Sequence, residues 1–368
     1  MRGAIGHHRL TLGMAQPALL ITFALVAACG LSPHQTSDPS PSVPANPFSF
    51  VVGLEREGYG SVISIVDSRD KSARDVRVGI WAEAAVVGSS RVSIAVTEDS
   101  ISDPDVANLL ILDAATLDEV GRFPIPGRTA ANIPGTPTFT LSPEMDRAYV
   151  IVSGEDGYSQ SLHVIDLVGG QQAITPVPLG YCGPGYVGIV AELGVVGVVC
   201  PEPRTAFLMR PDLSEFNGPI RIASKDVDAW ASGAAFGERQ ITVCLTRANS
   251  TWRSATVVVE ADGTVGPTNS ISDDLSAAPS ACTMWPDGRI SVGLWHGQGV
   301  GGYDTLAIVS ATGIRVVELD AQVIGPVSRV GNMLIAASAD GQRALWFDES
   351  GSVKDKLAGI HATGGLFP

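Results

Sequence analysis

Two neighbouring segments decide the fold of this chain: LSPEMDRAYVIVSG, residues 141–154, and LHVIDLVGG, residues 162–170. Each carries a short apolar run rich in Val and Ile, and each run is bounded by Gly, Asp or Pro. Such runs with such punctuation are typical of short strands joined by tight turns. The segments therefore predict consecutive antiparallel strands, and no long helical stretch follows Pro47.

The same unit recurs along the chain. Its clearest hairpins begin at Ser61, Asn108 and Ser161, and weaker copies follow. One copy occurs about every 40–50 residues, which is the length of one four-stranded propeller blade. Aspartate suits the end of the first hairpin strand because its side chain accepts hydrogen bonds from turn N–H groups. The residues at this position are Asp67, Asp113, Asp166, Arg210, Glu260, Ser310 and Asp348.

This repeat predicts an all-β fold, namely a single seven-bladed β-propeller of four-stranded antiparallel blades over residues 48–368. We label the strands of each blade A to D from the axis outward. Residues 48–54 correspond to strand B of the first blade, so that blade lacks strand A. We expect residues 365–368 to supply it and close the ring, because closure removes exposed sheet edges. Eight blades, or six blades with an irregular end, are the alternatives.

The repeat resembles the YVTN-type propeller repeat of seven-bladed lactonase-like and surface-layer proteins. Residues 141–154 with 162–170, and residues 109–127, carry the resemblance. It covers the second and third blades well and the others loosely. The resemblance implies a fold and no activity, because propellers host many functions.

The first 28 residues have a basic start, an apolar run and small residues before Cys29, as in a secretory signal peptide. The run Leu25–Cys29 resembles the lipobox of bacterial lipoproteins, which implies cleavage before Cys29 and lipidation of its thiol. Two acyl chains suffice for stable anchoring. Residues 29–47 are rich in Pro and Ser and predict a disordered tether. We expect a cell-membrane protein on the extracytoplasmic side; a plain signal peptide or an uncleaved anchor is the alternative.

Charge narrows the classes of partner. The chain of 368 residues has 24 basic and 38 acidic side chains, a net charge of −14. Nucleic-acid binding needs basic groups to neutralise phosphates, so we exclude it. No GxSxG, HExxH, Walker or EF-hand motif occurs, and we assign no catalytic residue, metal or cofactor. We expect a monomer.

Four cysteines remain after Cys29, and an even number in an exported domain predicts two disulfides. An A–B hairpin brings Cys182 close to Cys200, which leaves Cys244 to pair with Cys282. The alternatives are a Cys200–Cys244 pair or free buried thiols.

Acidic and aromatic residues collect in the loops that join strand B to strand C. The B–C and D–A loops share one face, so these residues predict a recognition rim there. Ordinary solvated loops are the alternative. The candidate residues of the rim are Tyr59, Asp99, Glu155, Tyr158, Trp252, Trp295, His296 and Tyr303.

Two classes of function follow. The first is a membrane-anchored lipoprotein whose propeller acts as a binding or scaffold module for an envelope protein, peptide or glycan. The second is an exported lactonase-like hydrolase with its pocket at the mouth of the central channel. No residue of the sequence can be assigned as its base or nucleophile.

Overall fold

The computed structural model separates the chain into residues 1–43 and residues 44–368, and all described residues belong to the second unit. The described residues form an all-β domain with a single 3-10 turn at Ala191–Leu193. None of their helices is long and apolar enough to span a membrane. The described residues are 50–55, 60–87, 93–100, 102–103, 105–129, 138–156, 159–172, 176–183, 185–202, 204–214, 216–223, 229–247, 254–272, 277–296, 302–363 and 365–367.

The described strands form six antiparallel sheets, in which neighbours along the chain are usually hydrogen-bonded neighbours. The first sheet contains β1 (Phe50–Glu55), β2 (Val62–Asp67) and β3 (Ser72–Arg77). The second contains β4 (Ile80–Val87), β5 (Ser93–Asp99), β6 (Val106–Asp113) and β7 (Glu119–Pro126). The third contains β8 (Arg128–Thr129), β9 (Phe139–Leu141), β10 (Arg147–Ser153), β11 (Ser159–Asp166), β12 (Gln171–Gln172) and β13 (Val177–Tyr181). The fourth contains β14 (Tyr186–Val190), β15 (Val195–Cys200), β16 (Thr205–Met209) and β17 (Phe216–Arg221).

The fifth sheet contains β18 (Ala229–Phe236), β19 (Gln240–Arg247), β20 (Ser254–Glu260) and β21 (Asn269–Ser272). The sixth contains β22 (Ala278–Met284), β23 (Ile290–Trp295), β24 (Tyr303–Ser310), β25 (Gly313–Val330), β26 (Met333–Ser338), β27 (Arg343–Phe347) and β28 (Val353–Ala358). The last strand, β29 (Leu366–Phe367), pairs with β1 and makes the first sheet four-stranded.

The sequence predicts separate four-stranded units, and the sixth sheet differs from that expectation. Its strand β25 runs without interruption for 18 residues. The first half of β25 pairs with β24 and the second half pairs with β26. Two four-stranded groups are therefore joined in one sheet through a shared strand.

The tight turns form where an aspartate follows an apolar strand. The Asp113 carboxylate accepts hydrogen bonds from the backbone N–H groups of Ala115 and Thr116, both at 2.8 Å. Asp166 accepts two in the same way, from Val168 at 2.9 Å and from Gly169 at 2.8 Å. These hydrogen bonds favour the ionised form and lower the pKa of both carboxyls.

Buried apolar side chains form seven clusters among the described residues, and six of them lie between groups of strands that are successive in the chain. The seventh cluster contains both ends of the domain. In it, Val51 and Val66 of the first sheet are grouped with Trp346 of the sixth sheet and with Ile360 and Leu366 of the C-terminal tail.

Two disulfides are present, Cys182–Cys200 and Cys244–Cys282, which are the pairs that the hairpin argument favours. The first is local to the A–B hairpin of the fourth sheet. The second joins the fifth sheet to the sixth.

Candidate functional site

Strands β4, β9, β14, β18 and β22 contact one another in succession, and we call the apolar space between them the channel. Strands β4, β9, β14, β18 and β22, with Pro326 of β25, line a cavity of about 290 Å³. Its lining is mostly apolar, and its side-chain hydroxyls come from Thr140 and Thr283. Burial of apolar surface is its main means of holding a ligand.

Phe236 sits at one end of this cavity, and two glycines make its position possible. A Cβ on Gly188 would lie 2.8 Å from the Phe236 Cβ, and a Cβ on Gly197 would lie 2.9 Å from the Phe236 ring. Real Cβ atoms essentially never approach other atoms so closely. The absence of side chains at these glycines therefore lets Phe236 lie against the backbone of β14 and β15.

A second cavity, which we call the groove, lies on the face that carries the A–B turns. It has a volume of about 660 Å³ and is lined by the turns that follow β14, β18 and β22. Ile189, Phe236 and Met284 line both the groove and the channel cavity. The groove therefore continues into the channel, and these three apolar side chains form the neck between them.

Trp285 is held firmly in the wall of the groove. It is 2% exposed, and its indole N–H donates to the Val327 carbonyl at 2.8 Å. The guanidinium of Arg289 lies over its ring, 5.1 Å from the centroid. Packing, hydrogen bonding and a cation–π contact thus fix this wall.

Most charges around the groove are paired. The Arg239 guanidinium lies 3.1 Å from the Glu192 carboxylate. Asp287 forms ion pairs with Arg329 and, at 2.8 Å, with Arg289. These two arginines also pair with Glu349, at 3.0 and 3.4 Å.

Glu238 differs from these residues. It is exposed, it lines the groove, and it forms no ion pair with any described residue. Among the described residues, the groove therefore carries one uncompensated negative charge, and the same groove opens into the apolar neck.

The structure describes five of the eight residues of the predicted rim, and none of these five lines the channel cavity or the groove. Asp99 accepts hydrogen bonds from the Thr129 N–H at 2.8 Å and the Thr129 hydroxyl at 2.9 Å. Burial nevertheless raises the pKa of the Asp99 carboxyl. Glu155 is exposed. The predicted rim residues Tyr59, Tyr158 and Trp252 lie outside the described residues.

Tyr303, which belongs to the predicted recognition rim, is buried in the structure. Tyr303 is 2% exposed, and its hydroxyl donates to the Gly325 carbonyl at 2.6 Å. This burial raises the pKa of the phenol. Trp295 is half-buried against the same core cluster, and His296 lies 3.3 Å from the Thr305 hydroxyl. Tyr303 contributes to packing. Because Gly293 has no side chain, the ring of Tyr303 can lie directly over it.

The groove lies at the opposite ends of the strands from the predicted rim, because A–B and B–C connections of antiparallel strands leave opposite ends. The Asp287-Gly288 pair marks Trp285–Gly288 as a tight turn in the sequence, and this pattern by itself points to no binding role. The sequence does contain one signal for the groove: the bulky aromatic residue Trp285 stands at a turn, where small polar residues are usual.

Comparison with known proteins identifies the fold class. No family model matches the chain, and no curated protein matches its sequence. The β-propeller domain of the Trilobed protease from Pyrococcus furiosus is similar in structure, with 8% identity, a TM-score of 0.52, and coverage of 85% of this chain and 92% of that one. A candidate 6-phosphogluconolactonase from Bacteroides uniformis gives 13% identity, a TM-score of 0.57, and coverage of 87% and 100%.

An acylaminoacyl peptidase from Pyrococcus horikoshii gives 14% identity and a TM-score of 0.53, over 82% of this chain and 52% of the peptidase. The chain thus spans about half the length of that enzyme. At such identities the likeness shows the fold alone. The protein has an all-β fold of the propeller class.

Proposed function

We propose that this protein is a lipid-anchored extracytoplasmic lipoprotein whose propeller binds a partner at the groove. The observation that carries the binding role is the continuity between the groove and the apolar channel through one neck. A concave site with an apolar interior and a few polar groups at its edge is the usual form of a ligand pocket. The partner class is an envelope protein, a peptide or a glycan.

The proposal includes a closed ring of seven four-stranded blades. Three contacts support it. Strand β29 pairs with β1, with Val52 opposite Phe367. The cluster around Trp346 spans both ends of the domain. In addition, Lys71 of the first sheet forms an ion pair with Asp355 of β28. The shared strand β25 then counts as the outer strand of the sixth blade and the inner strand of the seventh.

Anchoring rests on the sequence before the domain. The apolar segment and the lipobox-like run ending at Cys29 support cleavage and lipidation there, and residues 30–47 then act as a tether. Replacing Cys29 by serine should move the protein from the membrane fraction to the soluble fraction. Mass spectrometry of the mature N-terminus should show a lipid on Cys29 in the parent and none in the variant. An unmodified Cys29 in the parent protein would rule out the anchor.

Photo-crosslinking tests the binding role in the native envelope. A benzoylphenylalanine in place of Arg239 should capture a partner, because position 239 lines the groove. The matched control is the same replacement of Glu144, an exposed residue of the A–B turn after β9 that lines neither cavity. The same crosslinks from both positions, or none from position 239, would contradict binding at the groove.

The hydrolase alternative gains no support from the likeness to the Bacteroides protein, since a similarity at 13% identity concerns the fold.

A further inference from the structure

We infer that the groove and the channel together take a cationic amphiphile, with its apolar part in the channel and its ammonium group beside Glu238. This inference rests on the proposed function, since it names the chemistry of the ligand at the same site. Its two halves come from separate observations, the lining of the channel and the charges of the groove.

The channel cavity suits an apolar group. Val86, Ile189 and Phe236 are apolar, only partly buried, and line it, and its volume is about 290 Å³. An engineered apolar cavity of about 150 Å³ in another protein stays free of water and binds benzene. A cavity of about twice that volume has room for a short alkyl chain or for a ring with a linker.

The neck can adapt to such a group. Met284 is unbranched and has three rotatable side-chain bonds, so it can repack around ligands of different shape. Phe236 packs closely against the backbone at Gly188 and Gly197, where a Cβ would clash with it. One flexible wall and one fixed wall favour a linear apolar chain that passes between them.

The groove favours a positive head group. The Arg239 and Glu192 charges compensate each other, as do those of Asp287, Glu349 and their two arginines. The carboxylate of Glu238 is the charge left over among the described residues. An ammonium group gains an attraction there, whereas a carboxylate is repelled or has to displace Glu192 from Arg239.

The magnitude of this preference follows from the exposure of Glu238. Two unit charges about 4 Å apart in water interact by about 1 kcal/mol, which corresponds to roughly fivefold in affinity. Roughly fivefold attraction of one head group and roughly fivefold repulsion of the other give up to about twenty-five-fold, and solvent screening at this exposed site reduces the difference to about tenfold. Because the site is open to solvent, salt at about 1 M should remove most of it.

Calorimetry with octylamine, octanol and octanoate tests the inference on the full chain carrying Cys29→Ser. All three probes share the alkyl chain and differ in head charge. We expect octylamine to bind about tenfold more tightly than octanoate at low salt, with octanol between them. Glu238→Gln should reduce octylamine binding to the level of octanol and leave octanol unchanged. Glu144→Gln removes a charge from another A–B turn and should change none of the three.

A second variant tests the apolar half. Met284→Trp narrows the neck and should weaken the binding of all three probes together, while circular dichroism checks that the fold is retained.

A pair of peptides identifies the source of the ligand. If the natural ligand is a peptide terminus, a hexapeptide with an N-terminal Leu should bind when its amine is free. The same peptide should lose about tenfold in affinity when that amine is acetylated. Equal binding of both peptides, with octylamine still bound, assigns the site to a small amine.

Octanoate binding as tightly as octylamine, or no effect of Glu238→Gln, would overturn the choice of head group. No binding of octanol and octylamine would overturn the apolar site. Crosslinking from position 239 does not depend on these probes. If it still captures a partner when the probes fail, the ligand class is wrong and the proposed function stands.

Discussion

Replacing Gly188 by alanine should destabilise the protein by pushing Phe236 out of its place at the neck. The added Cβ would overlap the Phe236 ring, its nearest neighbour, and would lie 2.8 Å from the Phe236 Cβ, whereas ordinary contact begins at 3.4 Å, so at least about 0.6 Å of separation is missing. The Phe236 Cβ is bonded directly to the Cα of β18 and does not move when the side chain rotates, so the strand itself has to shift. Overpacking of this kind costs about 1–3 kcal/mol.

Urea unfolding measures this cost, with Gly266→Ala as the matched control. A Cβ on Gly266 would meet its nearest neighbour, the Val258 carbonyl oxygen, at 3.6 Å, which is ordinary contact. The control should therefore be neutral or stabilised by about 0.4–1 kcal/mol through its unfolded state. Gly188→Ala as stable as Gly266→Ala would refute the packing that we derive for Phe236.

A double-mutant cycle isolates the contact. Phe236→Ala removes the ring that crowds the new Cβ, so the combined variant should lose less stability than the two single variants together. Strict additivity would mean that the ring of Phe236 does not oppose the added methyl. Octanol affinity should also fall in Gly188→Ala, because Phe236 lines both the channel and the groove.

Three further outcomes are expected in the Cys29→Ser chain. Replacing Cys182 and Cys200 by alanine should cost about 3 kcal/mol, because the bridge closes a loop of 18 residues; a urea midpoint unchanged from the parent would argue against that bridge. The pKa of Asp166 is lowered in the folded protein, so this carboxyl stabilises the fold at any pH above its pKa in the unfolded chain. This stabilisation is lost as the pH falls through the pKa of the folded state. Carboxyl groups titrate in roughly the range from pH 7 to pH 2. Between these two pH values, the free energy of unfolding of Asp166→Asn should therefore fall less than that of the parent. Equal falls would contradict the hydrogen bonds in this turn. Tyr303→Phe should cost about 1–3 kcal/mol by leaving a buried carbonyl without its donor, and a neutral thermal unfolding result would contradict that bond.

The all-β class and the positions of many strands could be predicted from the sequence, because both depend on local patterns. A short run of Val and Ile followed by aspartate specifies a strand and the turn after it, and Asp113 and Asp166 make the expected turn bonds. The Cys182–Cys200 pair was accessible for the same reason, since both residues belong to one hairpin.

The candidate site could not be predicted in this way. Sequence reasoning placed recognition on the B–C loops, because exposed aromatic residues in loops are common at interfaces. Whether an aromatic residue at a strand end is exposed depends on the strand beside it. Tyr303 is buried because Gly293 leaves space for its ring and Gly325 supplies a carbonyl for its hydroxyl.

The sequence by itself determined the β-rich class, the period of the repeat and the turns, since these follow from the order of apolar and turn residues within about ten positions. Only the tertiary structure decided where a ligand could enter. The neck brings together Ile189, Phe236 and Met284 from three different sheets. Such residues are neighbours only after the strands have packed around the channel, so no local pattern in the chain could mark them as one site.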